Sequence, residues 1–396
     1  MPDEPTPTVW DMDPHTKAKH ELLRAYLKRW LPIIGAKSPS INYLDGFAGP
    51  GMYSGGEDGS PVVAIDTCST HARRPERVFF GFVEKDAKRA QILTTVLASR
   101  FPSGSLPPLW TYAVENQEFA GYLDRILNGI EGRGARISPT FAFLDPFGFG
   151  GIPLRSISRL LAYPRCETLV TLMSSFVSRF LEEDRAETLT NLFGCEDWRT
   201  ARNLHGERRL GFLLRLYEHQ LHQVAGAKHV LSFTMESHLG VPLYHLVFAT
   251  KHSKGFREMK EAMTEVDRRG TYRFSDRTDP GQTYLFDFAN DASPVWVDRA
   301  ADAVQSRFGG MTIRRKLVEE FIWYETKFPF RASILKVLRE RRAITVIGEE
   351  RPRSFFPTNC ELSFAPSDKE EGAGTPRTSG HPKGDHTGAS GPPPIA

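Results

Sequence analysis

Between residues 41 and 173 the chain alternates short, mostly apolar runs with segments of helical periodicity, and the first four runs stop on a polar or acidic residue. Ile41–Leu44 runs into Asp45, Val78–Val83 into Glu84, Leu109–Val114 into Glu115 and Asn116, and Thr140–Leu144 into Asp145; Thr168–Met173 makes a fifth run. Continuous apolar strands separated by helices are what a parallel sheet covered on both faces requires. Strand ends of this kind gather along the carboxyl edge of the sheet, where open α/β folds bind ligands. A helix over about His15–Ile34 precedes the first strand, with Leu22, Leu23, Tyr26, Leu27 and Trp30 at three- and four-residue spacing. Further helices are expected near residues 87–99 and 119–127, a helix plus a loop within 52–75 (Gly56–Gly59 and His71–Pro75 being irregular), and a long helical stretch over 183–225.

Beyond that stretch, His229–Glu236 and Pro242–Thr250 read as two strands joined by Ser237-His238-Leu239-Gly240, a hairpin. The expectation is therefore an α/β Rossmann-like sheet of five parallel strands plus a terminal antiparallel hairpin. A nicotinamide dehydrogenase would continue with a sixth parallel strand instead. Four units are expected: a disordered lead over 1–14, the α/β domain over 15–280, a winged-helix-like module over 281–357 and a disordered tail over 358–396. In the module, helices over Thr312–Lys327 and Arg331–Arg342 precede a strand at Ala343–Ile347 and a last apolar pair, Phe355-Phe356.

Composition narrows the function. The 396 residues hold 51 basic and 48 acidic side chains, a net charge of +3, so nothing draws the whole chain to nucleic acid or an anionic surface. Charge is concentrated locally: residues 331–353 carry seven basic and three acidic side chains. Arg339, Arg341, Arg342, Arg351 and Arg353 are accordingly candidates for phosphate contact. The four cysteines are far apart, and no His-Glu-x-x-His occurs, so no metal site is expected. The start of the chain lacks a signal-peptide pattern, and no run of about 18 apolar residues could span a bilayer. A cytoplasmic chain with reduced thiols is expected.

Chemistry concentrates at the strand ends. Asp45-Gly46-Phe47-Ala48-Gly49-Pro50-Gly51 follows the first strand, and its glycines admit a ligand close to the backbone. Its spacing is Gly-x-x-Gly-x-Gly, not the Gly-x-Gly-x-x-Gly that receives a pyrophosphate. It resembles the Asp-x-Phe-x-Gly-x-Gly pattern of S-adenosylmethionine (SAM) methyltransferases, so the sheet is expected to be the class I methyltransferase variant of the Rossmann fold. That resemblance implies that Asp45, Gly46, Phe47, Gly49 and Gly51 hold the methionine end of the cofactor. Glu84 is suited to accept hydrogen bonds from ribose hydroxyls, with Asp86 the better helix cap. Asn116 is suited to the adenine edge, with capping as the other reading. Asp145-Pro146-Phe147 stands where amino-methyltransferases carry Asp/Asn-Pro-Pro-Tyr/Phe, the motif that holds the acceptor. Here Phe147 replaces the second proline.

Taken together, residues 16–27, Asp45–Gly51, Glu84-Lys85-Asp86, Phe143–Gly148 and Tyr244–Met259 resemble the three-Cys-motif partner protein (TcmP) family over most of residues 8–357. The resemblance implies a methyltransferase fold and a neighbouring three-Cys-motif protein as partner. Two functions follow as expectations: a SAM-dependent methyltransferase, acting on a base or nucleic acid, or a non-catalytic partner that keeps the fold.

Overall fold

The computed structural model describes residues 8–71, 74–148, 152–181, 183–275, 295–348 and 356–366. Helix α1 (Pro14–Gly35) starts where Asp13 accepts the Thr16 amide at 2.8 Å and Pro14 takes the first turn, a position that needs no N–H donor. Its Leu22, Leu23, Tyr26, Leu27 and Trp30 are buried against the sheet.

Strands β1 (Ser40–Asp45), β2 (Arg77–Val83), β3 (Trp110–Glu115), β4 (Thr140–Leu144) and β5 (Cys166–Leu172) lie parallel, linked through α2 (Ser60–Ser69), α3 (Ala87–Arg100), α4 (Phe119–Glu131) and α5 (Leu154–Ala162). After β5 come α6 (Ser174–Arg179), α7 (Ala186–Phe193) and α8 (Gly206–Gln223). The hairpin expected from the sequence follows as β6 (His229–Glu236) and β7 (Pro242–Thr250), then α9 (Ser253–Val266) and a short edge strand β8 (Arg273–Ser275). The order across the sheet is β3-β2-β1-β4-β5-β7-β6-β8, with β7 antiparallel to both β5 and β6. The fold is thus α/β with a large, mostly parallel sheet. Alternate residues of each strand face opposite layers: Tyr43 joins a core formed with α1, α2, α3 and α9, and Leu44 one formed with α4, α5, α7 and α8.

The C-terminal unit contains α10 (Val295–Phe308), β9 (Thr312–Arg314), α11 (Arg315–Glu325), α12 (Ala332–Glu340), β10 (Ile344–Val346) and β11 (Glu361–Phe364). Its three strands form an antiparallel sheet in the order β10-β11-β9, around a core that includes Val304, Ile322, Leu335 and Leu362.

Several expectations need correction. Residues 8–13 are not an unstructured lead: Trp10 packs among Tyr53, Phe147 and Arg89, and one aromatic side chain anchors an otherwise polar segment. The helix plus loop expected within 52–75, irregular at Gly56–Gly59 and His71–Pro75, is met by α2 between those parts. The helix assigned from Thr312 begins at Arg315, because Thr312–Arg314 pairs with β11. The tail assigned from 358 overlaps β11, the central strand of the small sheet; Leu362 and Phe364 alternate into the core. Helix α10 and strand β8 were not anticipated. Phe355, Arg351 and Arg353 lie outside the described residues.

One buried cation joins the two units. Lys260 on α9 is 0% exposed, and its Nζ donates to the carbonyls of Ile322 (2.9 Å), Trp323 (2.7 Å) and Thr326 (2.6 Å). The Ile322 carbonyl also accepts the Thr326 hydroxyl at 2.7 Å, but those of Trp323 and Thr326 are acceptors that the end of α11 leaves open, and a cation suits the negative pole of a helix. Burial pushes the Lys260 ammonium down to about 7. Arg331 with Glu261, and Arg257 with the Tyr324 hydroxyl at 2.8 Å, flank the clasp. We expect Lys260→Met to lose about 3 kcal/mol through the stranded carbonyls, and to expose the link between the units to protease. Equal denaturant midpoints and equal cleavage rates would show that the clasp is dispensable.

Candidate functional site

The carboxyl ends of β1, β2 and β4 meet at one corner of the sheet. Asp45, the last residue of β1, is 0% exposed; Oδ2 accepts the Ser60 hydroxyl at 2.7 Å and Oδ1 the Phe47 amide at 3.2 Å. Burial pushes Asp45 up to about 7, against the opposing pull of those two donors; the nearby Asp145 and Glu84 charges add to the rise. Asp45 thus ties the turn to α2 from beneath. Gly46 sits so close to Phe119 and Leu144 that a Cβ there would lie 2.7–2.8 Å from their side chains, so its smallness serves packing. Gly49 differs: its φ is +62°, and only the Trp10 ring approaches the place of a Cβ, at 3.7 Å.

Glu84, at the end of β2, reaches across to this loop. Its Oε2 accepts the Gly49 amide at 2.9 Å and its Oε1 the Asp86 amide at 2.8 Å. Burial raises its pKa, while these amides and Arg89 hold the charged form. Asp86 caps α3 by accepting the Arg89 amide, as the sequence implied. Asn116 is no helix cap. Its amide donates to the carbonyls of Glu84 (2.9 Å) and Lys85 (3.0 Å), fastening the end of β3 to that of β2. Phe47 rests against Phe119, and Gly51 accepts the Gly59 amide at 2.9 Å.

At the end of β4, Asp145 is engaged on both oxygens: Lys19 Nζ lies 2.5 Å from Oδ2, and the Thr171 hydroxyl donates to Oδ1 at 2.6 Å. Burial opposes the Lys19 ammonium, but the Asp145 carboxylate outweighs it and holds the pKa above its ordinary value. The Tyr244 ring lies 5.4 Å from Lys19 Nζ. The neighbouring His20 is pushed down to about 4 by burial and by Lys19, so it is neutral at physiological pH; no described residue partners its Nδ1. Pro146 is buried, whereas Phe147 is 55% exposed and meets the Trp10 ring edge-on at 5.3 Å.

Sequence reasoning found the strand ends but missed Lys19, Tyr53, Tyr244 and Trp10. Lys19 lies 126 positions from Asp145, and nothing in a helical repeat marks it as an ion-pair partner. In the C-terminal unit the basic cluster disperses. Arg341 donates to Asp298 and Asp302 of α10, at 2.6 Å each, acids that lie outside the segment over which charge was counted. Arg339 stacks on Phe356 at 4.0 Å, while Arg342 is exposed and left-handed at φ 57°. Among the described residues no cluster of three or more His, Cys, Asp or Glu side chains could hold a metal ion. No helix of the described residues is long and apolar enough to cross a membrane.

No family model and no curated protein matches the chain. Among solved structures, the chain is similar to Trm1 from Pyrococcus horikoshii in complex with SAM, at 14% identity and a TM-score of 0.36, over 67% of this chain and 62% of that one. The chain thus spans less than two thirds of that protein's length. It is also similar to a possible exported protein from Bordetella parapertussis (14% identity, TM-score 0.31, 60% of this chain and 68% of that one). A third likeness is to a SAM-dependent methyltransferase from Methanosarcina mazei (14% identity, TM-score 0.25, 53% and 92%).

Two predictions follow from the carboxylates. Folded Asp45 keeps its proton up to about 7, whereas an unfolded aspartate releases it near 4. The folded chain binds more protons between those limits, so stability falls as pH rises through that window. Asp45→Asn removes this titration, and its urea midpoint is expected to decline less than that of the parent between pH 4 and 7; parallel pH profiles would refute the assignment. Lys19→Met leaves the Asp145 carboxylate without its cation and is expected to cost about 3 kcal/mol, with much of it recovered in Lys19→Met/Asp145→Leu. If the double variant is no more stable than the single one in urea unfolding, the ion pair does not control this corner.

Proposed function

We propose that the chain is a SAM-dependent methyltransferase whose cofactor lies over the carboxyl ends of β1 and β2. The observation that best supports this is the 2.9 Å hydrogen bond from the Gly49 amide to Glu84 Oε2, which joins the acid after the second strand to the glycine loop after the first. The residues present fit such a group. Glu84 accepts two amides and, as a carboxylate, has lone pairs left for ribose hydroxyls. Gly49 offers backbone without a Cβ beside the Trp10 ring. Asn116 uses its amide hydrogens internally and keeps its carbonyl oxygen for an adenine amino group. Asp45, Gly46 and Gly51 shape the loop from within.

Bound SAM supplies an electrophilic methyl group on a sulfonium, and its transfer is a direct displacement. The protein's task is then to hold the acceptor in line and keep water out. Phe147 and Trp10 form an aromatic corner suited to a flat acceptor. Asp145 already holds Lys19 and Thr171, so an ammonium-type acceptor would meet a cation at this place. That favours an acceptor atom able to take a hydrogen bond from Lys19, and departs from the Asp/Asn-Pro-Pro-Tyr/Phe arrangement.

The C-terminal unit follows the helix–strand–helix–helix–strand–strand order of a winged helix, and we assign it to presenting the substrate or a protein partner. Resemblance to the TcmP family makes a three-Cys-motif protein the proposed partner. One observation favours the non-catalytic alternative: Asp45 and Glu84 are 0% and 5% exposed, with Trp10 against the glycine loop. Calorimetric titration with SAM separates the two. The parent chain is expected to bind, Glu84→Ala to bind at least tenfold more weakly, and Trp10→Ala to retain binding. An absence of heat with both the parent and Trp10→Ala would overturn the methyltransferase reading.

A further inference from the structure

The opposite, amino edge of the sheet carries a charge pattern that the cofactor site does not use. Strands β1, β4, β5, β7 and β6 are consecutive across the sheet, and the segments meeting at this edge each bring a cation. Lys37 precedes β1, Arg133 and Arg136 precede β4, Arg165 precedes β5, Lys254 follows the antiparallel β7, and Lys228 precedes β6. Backbone hydrogen bonds tie these segments together: Asn42 N to Pro139 O, Thr140 N to Arg165 O, and Lys228 N to Thr250 O. All six side chains are exposed, and none is within salt-bridge distance of a carboxylate among the described residues. Lys37, Arg165 and Lys254 ring one cavity of about 50 Å³, floored by Tyr26, Trp30 and Ile34, with Glu167 at its base and Glu258 on its wall.

Most acids at this edge are otherwise engaged. Glu167 accepts the Tyr26 and Thr250 hydroxyls at 2.6 and 2.7 Å, Glu131 is bound to Arg159 at 3.0 Å and Glu76 lies 3.7 Å from Arg77, while Glu258 is shared between Lys254 and Arg29, the latter at 3.9 Å. At a strand spacing of about 4.8 Å, five strand ends make a cationic row about 20 Å long. A single nucleic-acid strand is held by a positively charged groove that tracks its backbone, and a continuous row of cations along the sheet edge offers successive phosphates such a track. A membrane surface fits less well. Among the described residues, the exposed large apolar side chains at this edge, Leu109 before β3 and Val224 before β6, stand singly near its two ends, with no apolar patch between them to enter a bilayer.

We propose that the amino edge of the sheet is a binding surface for the phosphate backbone of single-stranded nucleic acid. The strands place it about 20 Å from the Glu84 corner, and the proposal does not depend on the cofactor reading. Fluorescence anisotropy of the full chain with a labelled, mixed-sequence 20-nucleotide RNA over a range of salt tests it. Combined Arg136→Gln, Arg165→Gln and Lys254→Gln is expected to weaken binding at least tenfold. It should also flatten the slope of log affinity against log salt by about 2, near 0.7 for each lost contact. Lys37→Gln with Lys228→Gln, from the two ends of the row, should act in the same direction and decides the matter if the triple variant does not fold. Lys336→Gln with Arg342→Gln, in the C-terminal unit, should leave both quantities unchanged. Unaltered affinity in the amino-edge variants, a loss found only in the C-terminal one, or binding to vesicles of 30% phosphatidylserine without binding to RNA would each overturn the proposal.

Discussion

Three carboxylates converge within one corner of this sheet, and the site is organised by how they avoid repelling one another. Each is accommodated differently. Asp145 takes a cation, Lys19. Glu84 takes two backbone amides, which stabilise its charge without bringing a positive side chain into the corner. Asp45 takes a hydroxyl and one amide and rises to about 7, so that it is neutral during part of the physiological range. Like charges in a desolvated place cannot all be ionised without compensation. The three solutions also distribute roles: a mechanical tie at Asp45, a hydrogen-bond acceptor facing the loop at Glu84, and a polarised ion pair at Asp145.

The strand ends were legible in the sequence because a wholly buried parallel strand must be continuously apolar, and a polar residue ends it visibly. The hairpin of β6 and β7 was legible for the same reason, with Gly240 marking the turn. The extent of α2 was legible too, because Gly56–Gly59 and His71–Pro75 mark the irregular parts on either side of Ser60–Ser69. Strands β9 and β11 were missed because three or four residues give too few alternations to stand out against neighbouring helices. Arg341 shows a different limit. Its charge looked free in a count along the chain, yet α10 supplies Asp298 and Asp302 from about 40 residues away. Local sequence windows register charge, and only the fold registers its neutralisation.

The near balance of 51 basic and 48 acidic residues therefore conceals a polarity along the strands. Asp45, Glu84, Glu115 and Asp145 stand at the carboxyl ends, and Lys37, Arg136, Arg165 and Lys228 precede the amino ends. Parallel topology produces this segregation without long-range design, because every strand enters at one edge and leaves at the other. A residue bias placed before strands becomes a stripe, and one placed after them becomes a cluster.

The same chain segment controls both the cover and the charge of the candidate site. Trp10 lies against Gly49 and Phe147, Asp13 caps α1 through the Thr16 amide and hydroxyl, and Lys19 follows less than two turns later. Three anchors hold the segment outside the helix: the aromatic contacts of Trp10, the Ser54 amide donating to the Trp10 carbonyl at 3.0 Å, and the Ser54 hydroxyl donating to the Asp11 carboxylate. None of them involves the Lys19–Asp145 pair. The segment before Asp13 is thus held by contacts separate from the ion pair, while α1, fixed by its buried face, holds Lys19 on Asp145. The cover of the glycine loop and the electrostatics of the Asp145 corner rest on different contacts, although only a few residues divide them.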